Sequence, residues 1–216
     1  ACWDCIGREA GLPVYQLLGG RVRIPAYANG WYTGERTPEA FAEAAKRVVA
    51  KGYRAMKFDP FGNGSLELTR NEFRTALTLV EAVHAAVGDQ AELFIEMHGR
   101  FAPHQAIALA KALEPFAPGW IEEPCRPEDP GALETVAAHT SIPIAAGERW
   151  YNALQYRDVF PRRAVHIIQP DMTQCGGFLE AKKIAAMAET WSVMAAPHNV
   201  GGVISTTAAL HLMATL

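Results

Sequence analysis

Three carboxylates close three short apolar runs: Phe94-Ile95-Glu96, Trp120-Ile121-Glu122 and Ala146-Gly147-Glu148. Each is 26 residues from the next. One position repeated on successive parallel strands predicts three carboxylates side by side at one end of a sheet. Adjacent anions repel unless a cation holds them. Oxygen-only ligation suits a hard cation such as Mg2+, which keeps positions open for water or substrate. Strand alternation lets only one of Glu122 and Glu123 face that cluster. The regular spacing selects Glu122 and leaves Glu123 to a supporting or ion-pairing role. Asp171 and His198 end two later runs. An Asp that accepts one ring N–H fixes the tautomer and leaves the other nitrogen as a base. His98 lies two residues beyond Glu96, which on an extended strand places it on the same side, near the metal.

The elements that must position these groups alternate along the chain. Strands are predicted over Ile24–Asn29, Ala55–Asp59, Leu93–His98, Trp120–Glu122, Ile144–Glu148, His166–Asp171 and Val193–His198. Helices are predicted over Pro38–Ala50, Thr69–Val87, Pro103–Leu113, Pro130–His139, Ala153–Phe160, Phe178–Thr190 and Ile204–Ala214. Thr37-Pro38 supplies an N-cap followed by Pro at the first helical position, and Lys51-Gly52 and Val87-Gly88 are stops. Seven βα units in series predict a parallel α/β sheet covered by helices. The strand-end polar residues Asn29, Asp59, Glu96, Glu122, Glu148, Asp171 and His198 recur at intervals of 23 to 37 residues. Chemistry at every strand end favours a TIM-type (β/α) barrel, with its site at the C-terminal mouth, over an open sheet with one switch point. Residues 1–23 read as a lead-in helix and connector, with Arg21-Val22-Arg23 as solvated linker, and 24–216 as the barrel. A barrel has about eight strands, and both chain ends read as cuts, so the expectation is an incomplete barrel lacking its last strand.

A net charge of −3 on 216 residues excludes a nucleic-acid footprint or a polybasic membrane anchor. No apolar run approaches the roughly 20 residues of a membrane helix. Four cysteines are too few for a disulfide scaffold. Cys2 and Cys5 read as thiols one helical turn apart, and reduced thiols point to the cytoplasm. Gly176-Gly177 is a weak phosphate-binding signal and reads better as tight strand-to-helix packing. His84, His104, His139, His166 and His211 fall on helices or away from strand ends and read as surface or packing residues.

Four motifs together resemble the enolase superfamily, in its mandelate racemase and muconate lactonizing branch. They are Trp120-Ile121-Glu122-Glu123-Pro124, Gly147-Glu148-Arg149, Gln169-Pro170-Asp171 with Gly176-Gly177, and Pro197-His198-Asn199. The lead-in Trp3-Asp4, Gly11-Leu12-Pro13-Val14-Tyr15 and Leu17-Leu18-Gly19-Gly20 is similar to the segment before that branch's barrel. The resemblance implies a (β/α)7β barrel, an N-terminal capping domain expected to be missing here, one Mg2+ on Glu96, Glu122 and Glu148, and a homo-oligomer in the intact protein. It implies that His198 and Asp171 move a proton next to a substrate carboxylate.

Within the branch, Glu96-Met97-His98-Gly99-Arg100 resembles the acid-sugar dehydratases, which carry a carboxylate-x-His there and use the His as general acid on the departing 3-hydroxyl. Metal ligation and a structural role remain alternatives for His98. The family usually has Asp where this chain has Glu96. The racemases resemble Lys57-Phe58-Asp59 with a Lys-x-Lys, and Asp59 at the second Lys disfavours racemisation. Lys57, Asp59, Arg149 and Asn199 are then substrate contacts. The implied reaction is Mg2+-dependent dehydration of a sugar acid to a 2-keto-3-deoxy acid. A cycloisomerase opening an anhydro ring, a racemase or epimerase, and an inactive barrel retaining only metal or subunit binding are the alternatives.

Overall fold

Short apolar runs bounded by Gly, Pro and capping residues become strands, and amphipathic stretches between them become helices. The structure is a computed structural model that describes residues 2–20 and 24–216. Arg21-Val22-Arg23, read as a solvated linker, lies outside the described residues. The elements are α1 (Cys2–Ala10), α2 (Val14–Leu17), α3 (Pro38–Ala50), β1 (Ala55–Phe58), α4 (Arg70–Val87), β2 (Glu92–Glu96), α5 (Pro103–Leu113), β3 (Trp120–Glu122), α6 (Pro130–Ala137), β4 (Ile144–Ala146), α7 (Ala153–Arg157), β5 (Ile167–Ile168), α8 (Phe178–Thr190), β6 (Met194–Ala195) and α9 (Val203–Met213). Strand order follows chain order, β1 to β6, and the ladders are parallel.

Two compact units divide the chain, with the boundary inside β4. Ala26–Ala145 with Arg162–Val165 forms the first. Its register sets Phe58, Ile95, Ile121 and Ile144 in one row across β1 to β4, all with 0% of their surface exposed. This row anchors the strands in a dry core. The opposite row sets Lys57 beside Phe94 and Phe94 beside Trp120. The Phe94 and Trp120 rings stack at 3.5 Å, and Tyr27 meets both edge-on. The N-cap predicted at Thr37 forms, and a capping box not predicted from sequence starts α4. Thr37 accepts from Ala40 N, and Thr69 and Glu72 form a capping box at α4.

Residues 2–20 and 24–25, with Ala146–Pro161 and His166–Leu216, form the second unit. Gln169 N donates to Ala146 O at 2.9 Å, and β5 pairs with β6. Gly177 precedes α8 at φ +87°, a left-handed conformation that makes the tight strand-to-helix turn the glycine pair predicts. Cys2 and Cys5 are exposed free thiols on α1. No helix among the described residues is long and apolar enough to cross a membrane.

The strands are fewer and shorter than the sequence predicts. Segment 24–29 contributes one bridge, Ala28 to Met56, rather than a seventh strand. Pro25 has no N–H to donate, and Asn29 accepts from the Gly30 amide at 2.8 Å and turns the chain. At β1, β4, β5 and β6 the ladder stops before the polar residue predicted to end it, and β2 ends at Glu96, short of His98. His98 therefore does not continue an extended strand. It sits in a turn at φ +52°.

Candidate active site

Glu96 and Glu122 are direct cross-strand partners on β2 and β3, as their spacing predicts. Both are buried, at 3% and 0% exposure. The buried ammonium of Lys57 lies between them. Its Nζ donates to Glu96 Oε2 at 2.8 Å and also hydrogen-bonds Glu122 Oε1. Trp120 Nε1 donates to Glu122 Oε2 at 3.0 Å. Burial and the neighbouring Glu122 charge push the Glu96 carboxyl well above its ordinary value, against the opposing pull of Lys57. Burial works against the Lys57 charge, but Glu122 and Glu96 outweigh it and hold the ammonium above the usual lysine range. Lys57 is thus turned to the two carboxylates. Glu123, fully buried at φ +42°, leaves the strand alternation at this point.

Asp59 follows β1, where the chain turns. Its Oδ1 accepts from Phe61 N at 2.8 Å, while Oδ2 meets His98 Nδ1 at 2.9 Å and Arg100 Nη2 at 2.7 Å. Burial opposes its ionisation, but the His98 hydrogen bond and the Arg100 charge prevail, and its carboxyl lies below the usual value. His98 N donates to Glu96 Oε1 at 2.8 Å. His98 thus reaches Glu96 through its backbone and Asp59 through its ring.

In the second unit, Gly147 at φ +134° lets the chain pass close to its neighbours. A Cβ there would lie 3.0 Å from Gln169 N and 3.1 Å from the Tyr156 ring. Glu148 follows, and its Oε2 is 3.1 Å from His198 Nε2. Asp171 Oδ2 is 2.8 Å from His198 Nδ1, the pairing expected from their strand-end positions. Asp171 Oδ1 accepts from Thr173 N and Oγ1 at 2.7 and 2.6 Å. Against burial, these Thr173 bonds and His198 keep Asp171 ionised below its usual value. Asn199 is engaged with the start of α9, through Thr206 Oγ1 at 2.9 Å and Ser205 Oγ at 2.8 Å. Arg149 is half-buried, and Trp150 is buried against Tyr156.

Lys57 therefore balances Glu96 and Glu122, while the His198 ring lies between Glu148 and Asp171. Among the described residues no three His, Cys, Asp or Glu side chains are grouped to hold a metal. The Glu96–Glu122 pair nevertheless fits a hard cation, because two buried carboxylates here already share one positive charge and supply only oxygen donors. Arg100, Trp120 and Thr173 went without a role in the sequence reading. Arg100 lies in the quoted run ending Gly99-Arg100, and Thr173 stands two residues after Asp171, a spacing typical of a side chain bonding its own turn.

Residues 40–216 match the family described as Enolase C-terminal domain-like. The chain belongs to this family. D-gluconate dehydratase of Thermoproteus tenax is 45% identical over 204 residues, covering 94% of this chain and 41% of that protein. D-gluconate/D-galactonate dehydratase of Picrophilus torridus is 40% identical over 218 residues, covering 100% and 56%. The chain thus spans about half the length of these relatives. The crystal structure of a mandelate racemase/muconate lactonizing enzyme-like protein from Roseovarius sp. TM1035 superposes with a TM-score of 0.95 at 36% identity, over 100% of this chain and 58% of that one. A member of the enolase superfamily from Salmonella Typhimurium gives 0.94 at 34%, over 99% and 60%. The parallel strand–helix series of this enolase-family chain fits those relatives.

Proposed function

We propose that this chain is the catalytic part of a Mg2+-dependent sugar-acid dehydratase built on a (β/α)7β barrel. The observation that carries the reading is the buried Glu96–Glu122 pair held in register on adjacent strands. The names of the relatives, gluconate and galactonate dehydratases, support a sugar-acid substrate.

In this reading Glu96, Glu122 and Glu148 hold the Mg2+. When bound, the ion would supply Lewis acidity to a substrate carboxylate and so lower the cost of charge at the α-carbon. His198, oriented through Nδ1 by Asp171, takes the α-proton at Nε2. The electron pair left at C2 expels the 3-hydroxyl as the C3–O bond breaks. His98 gives that oxygen a proton, so water leaves. The enol product then ketonises to a 2-keto-3-deoxy acid. Acid and base are separate residues in this scheme. Asp59 binds His98 and Arg100, which supports elimination over racemisation because no second base is left at that position. Lys57, Arg149 and Asn199 serve substrate contact in this scheme, with Lys57 exchanging its carboxylate partners for the substrate's. A homo-oligomer and a cytoplasmic location belong to the same proposal.

The test is a screen of hydroxylated sugar acids with the full-length protein, with and without Mg2+, scored by 2-keto-3-deoxy acid formed. Formation from a gluconate- or galactonate-type acid, abolished by chelation, is expected. Epimerisation without net dehydration would overturn the reading.

A further inference from the structure

We propose that Asp59 and Arg100 form a clamp on His98, with Asp59 the positioning residue that holds the ring through Nδ1–H, so that the doubly protonated ring gives its second proton from Nε2 and keeps the one on Nδ1. The inference rests on the reading of His98 as the general acid.

The His98 ring is held through Nδ1 by Asp59. The His98 side chain is 48% exposed, and its backbone is in the left-handed region at φ +52°. A half-exposed imidazole on such a turn has two soft torsions and two nitrogens to offer. Asp59 removes that freedom. It comes from the end of β1, 39 residues away, and its carboxylate takes the Nδ1–H at 2.9 Å. With the Nδ1 proton committed, Nε2 is the nitrogen directed to chemistry.

Asp59 is itself over-determined. It is 7% exposed, and its Oδ1 is fixed by the Phe61 amide. The planar fork of Arg100 ties Oδ2 to two carbonyls, donating from Nη2 to Asp59 at 2.7 Å, from Nη1 to Gly62 O and from Nε to Met97 O at 3.2 Å. Arg36 Nη2 holds the Asp59 carbonyl at 3.2 Å. Arg100 thus joins the turn after β1 to the turn that carries His98. Three of the roughly four acceptor sites of such a carboxylate are taken up within the protein, one of them by the His98 ring, so Asp59 acts through His98. The arrangement parallels Asp171 on His198, where Thr173 takes the place of Phe61 and Arg100.

The experiment uses full-length protein with 15N-labelled histidine and the variants Asp59→Asn, Arg100→Lys and His98→Asn. The 15N shifts of His98 should report a proton held on Nδ1. Asp59→Asn should shift the population toward Nε2–H, because the new amide can donate to Nδ1. Dehydration of the hydroxyl substrate should fall about 10²-fold, the lower end of a general acid's contribution. Exchange of the α-proton and elimination from a 3-fluoro analogue should be nearly unchanged. Arg100→Lys keeps the charge without the fork and should give the same pattern more weakly, which preserves the test if Asp59→Asn folds poorly. Asp59→Asn added to His98→Asn should cost nothing further. An unchanged His98 tautomer in both clamp variants, or equal losses of exchange and of both eliminations, would overturn the clamp. If His98→Asn itself leaves hydroxyl elimination intact, the general-acid reading fails instead, and the tautomer spectra still judge the clamp.

Discussion

At the scale of single residues, Lys57 is the most exposed to test. It is 3% accessible and is the internal cation for two buried carboxylates. Lys57→Met removes that charge and leaves Glu96 and Glu122 facing each other across one register pair. Breaking a buried ion pair on one side typically costs about 3–5 kcal/mol. The expected outcome is a marked fall in the urea midpoint without Mg2+, partly recovered on adding the ion. A midpoint unmoved by the substitution would mean that the lysine does not balance the pair. The Glu96–Glu122 pairing was legible from sequence because a fixed interval on parallel strands translates directly into register. The partners of these acids were not. Lys57 reaches them from 39 and 65 residues away, and Asp59 reaches His98 from 39, distances over which sequence pattern carries no contact information.

Elements hold these residues through their ends. Thr69 accepts from Glu72 N while the Glu72 side chain accepts from Thr69 N, at the start of α4. Loss of such a cap costs about 1 kcal/mol, so Thr69→Ala should lower stability by that amount in urea unfolding. An unchanged midpoint would show that the cap is redundant with the packing of α4 on α3. Glu114, just past α5, accepts from Ser141 N and Thr140 Oγ1 at 3.0 Å and from Lys111 Nζ at 3.1 Å, tying α5 to the approach to β4. Chiefly through the Ser141 amide and the Lys111 hydrogen bond, its carboxyl is pulled down to about 2. A carboxyl lowered in the folded state stabilises it above its unfolded value and loses that contribution as pH falls toward the folded one. Glu114→Gln should therefore flatten the acid limb of stability between about pH 4.5 and 2. An acid limb of the same slope in the variant would contradict this.

The helices were legible because their ends carry caps, prolines and glycines whose effects are local. Pro38–Ala50, Pro103–Leu113 and Phe178–Thr190 form over the residues predicted. Strand ends were harder to read. A strand stops where its ladder partner stops, and β5 and β6 hold only two residues each although the apolar pattern runs further.

For the molecule as a whole, the fold class follows from the serial strand–helix pattern, and residues 40–216 carry the family assignment. If the Glu96–Glu122 pair takes a divalent cation, binding to the folded state alone adds about 2.7 kcal/mol at a hundred times Kd. Mg2+ should then raise the melting temperature in a concentration-dependent way, and Glu122→Gln should suppress the rise. A melting temperature indifferent to Mg2+ would argue against the cation site without touching the fold.

The central claim is that base and acid are different histidines, so proton removal and loss of the hydroxyl are separable. The most direct measurement follows both events in the full-length His98→Asn protein with a sugar-acid substrate in deuterated water. The expected result is α-proton exchange near the wild-type rate with dehydration reduced about 10²–10⁴-fold and Mg2+ affinity retained. Loss of exchange and dehydration by the same factor would contradict it, because one residue would then be serving both steps.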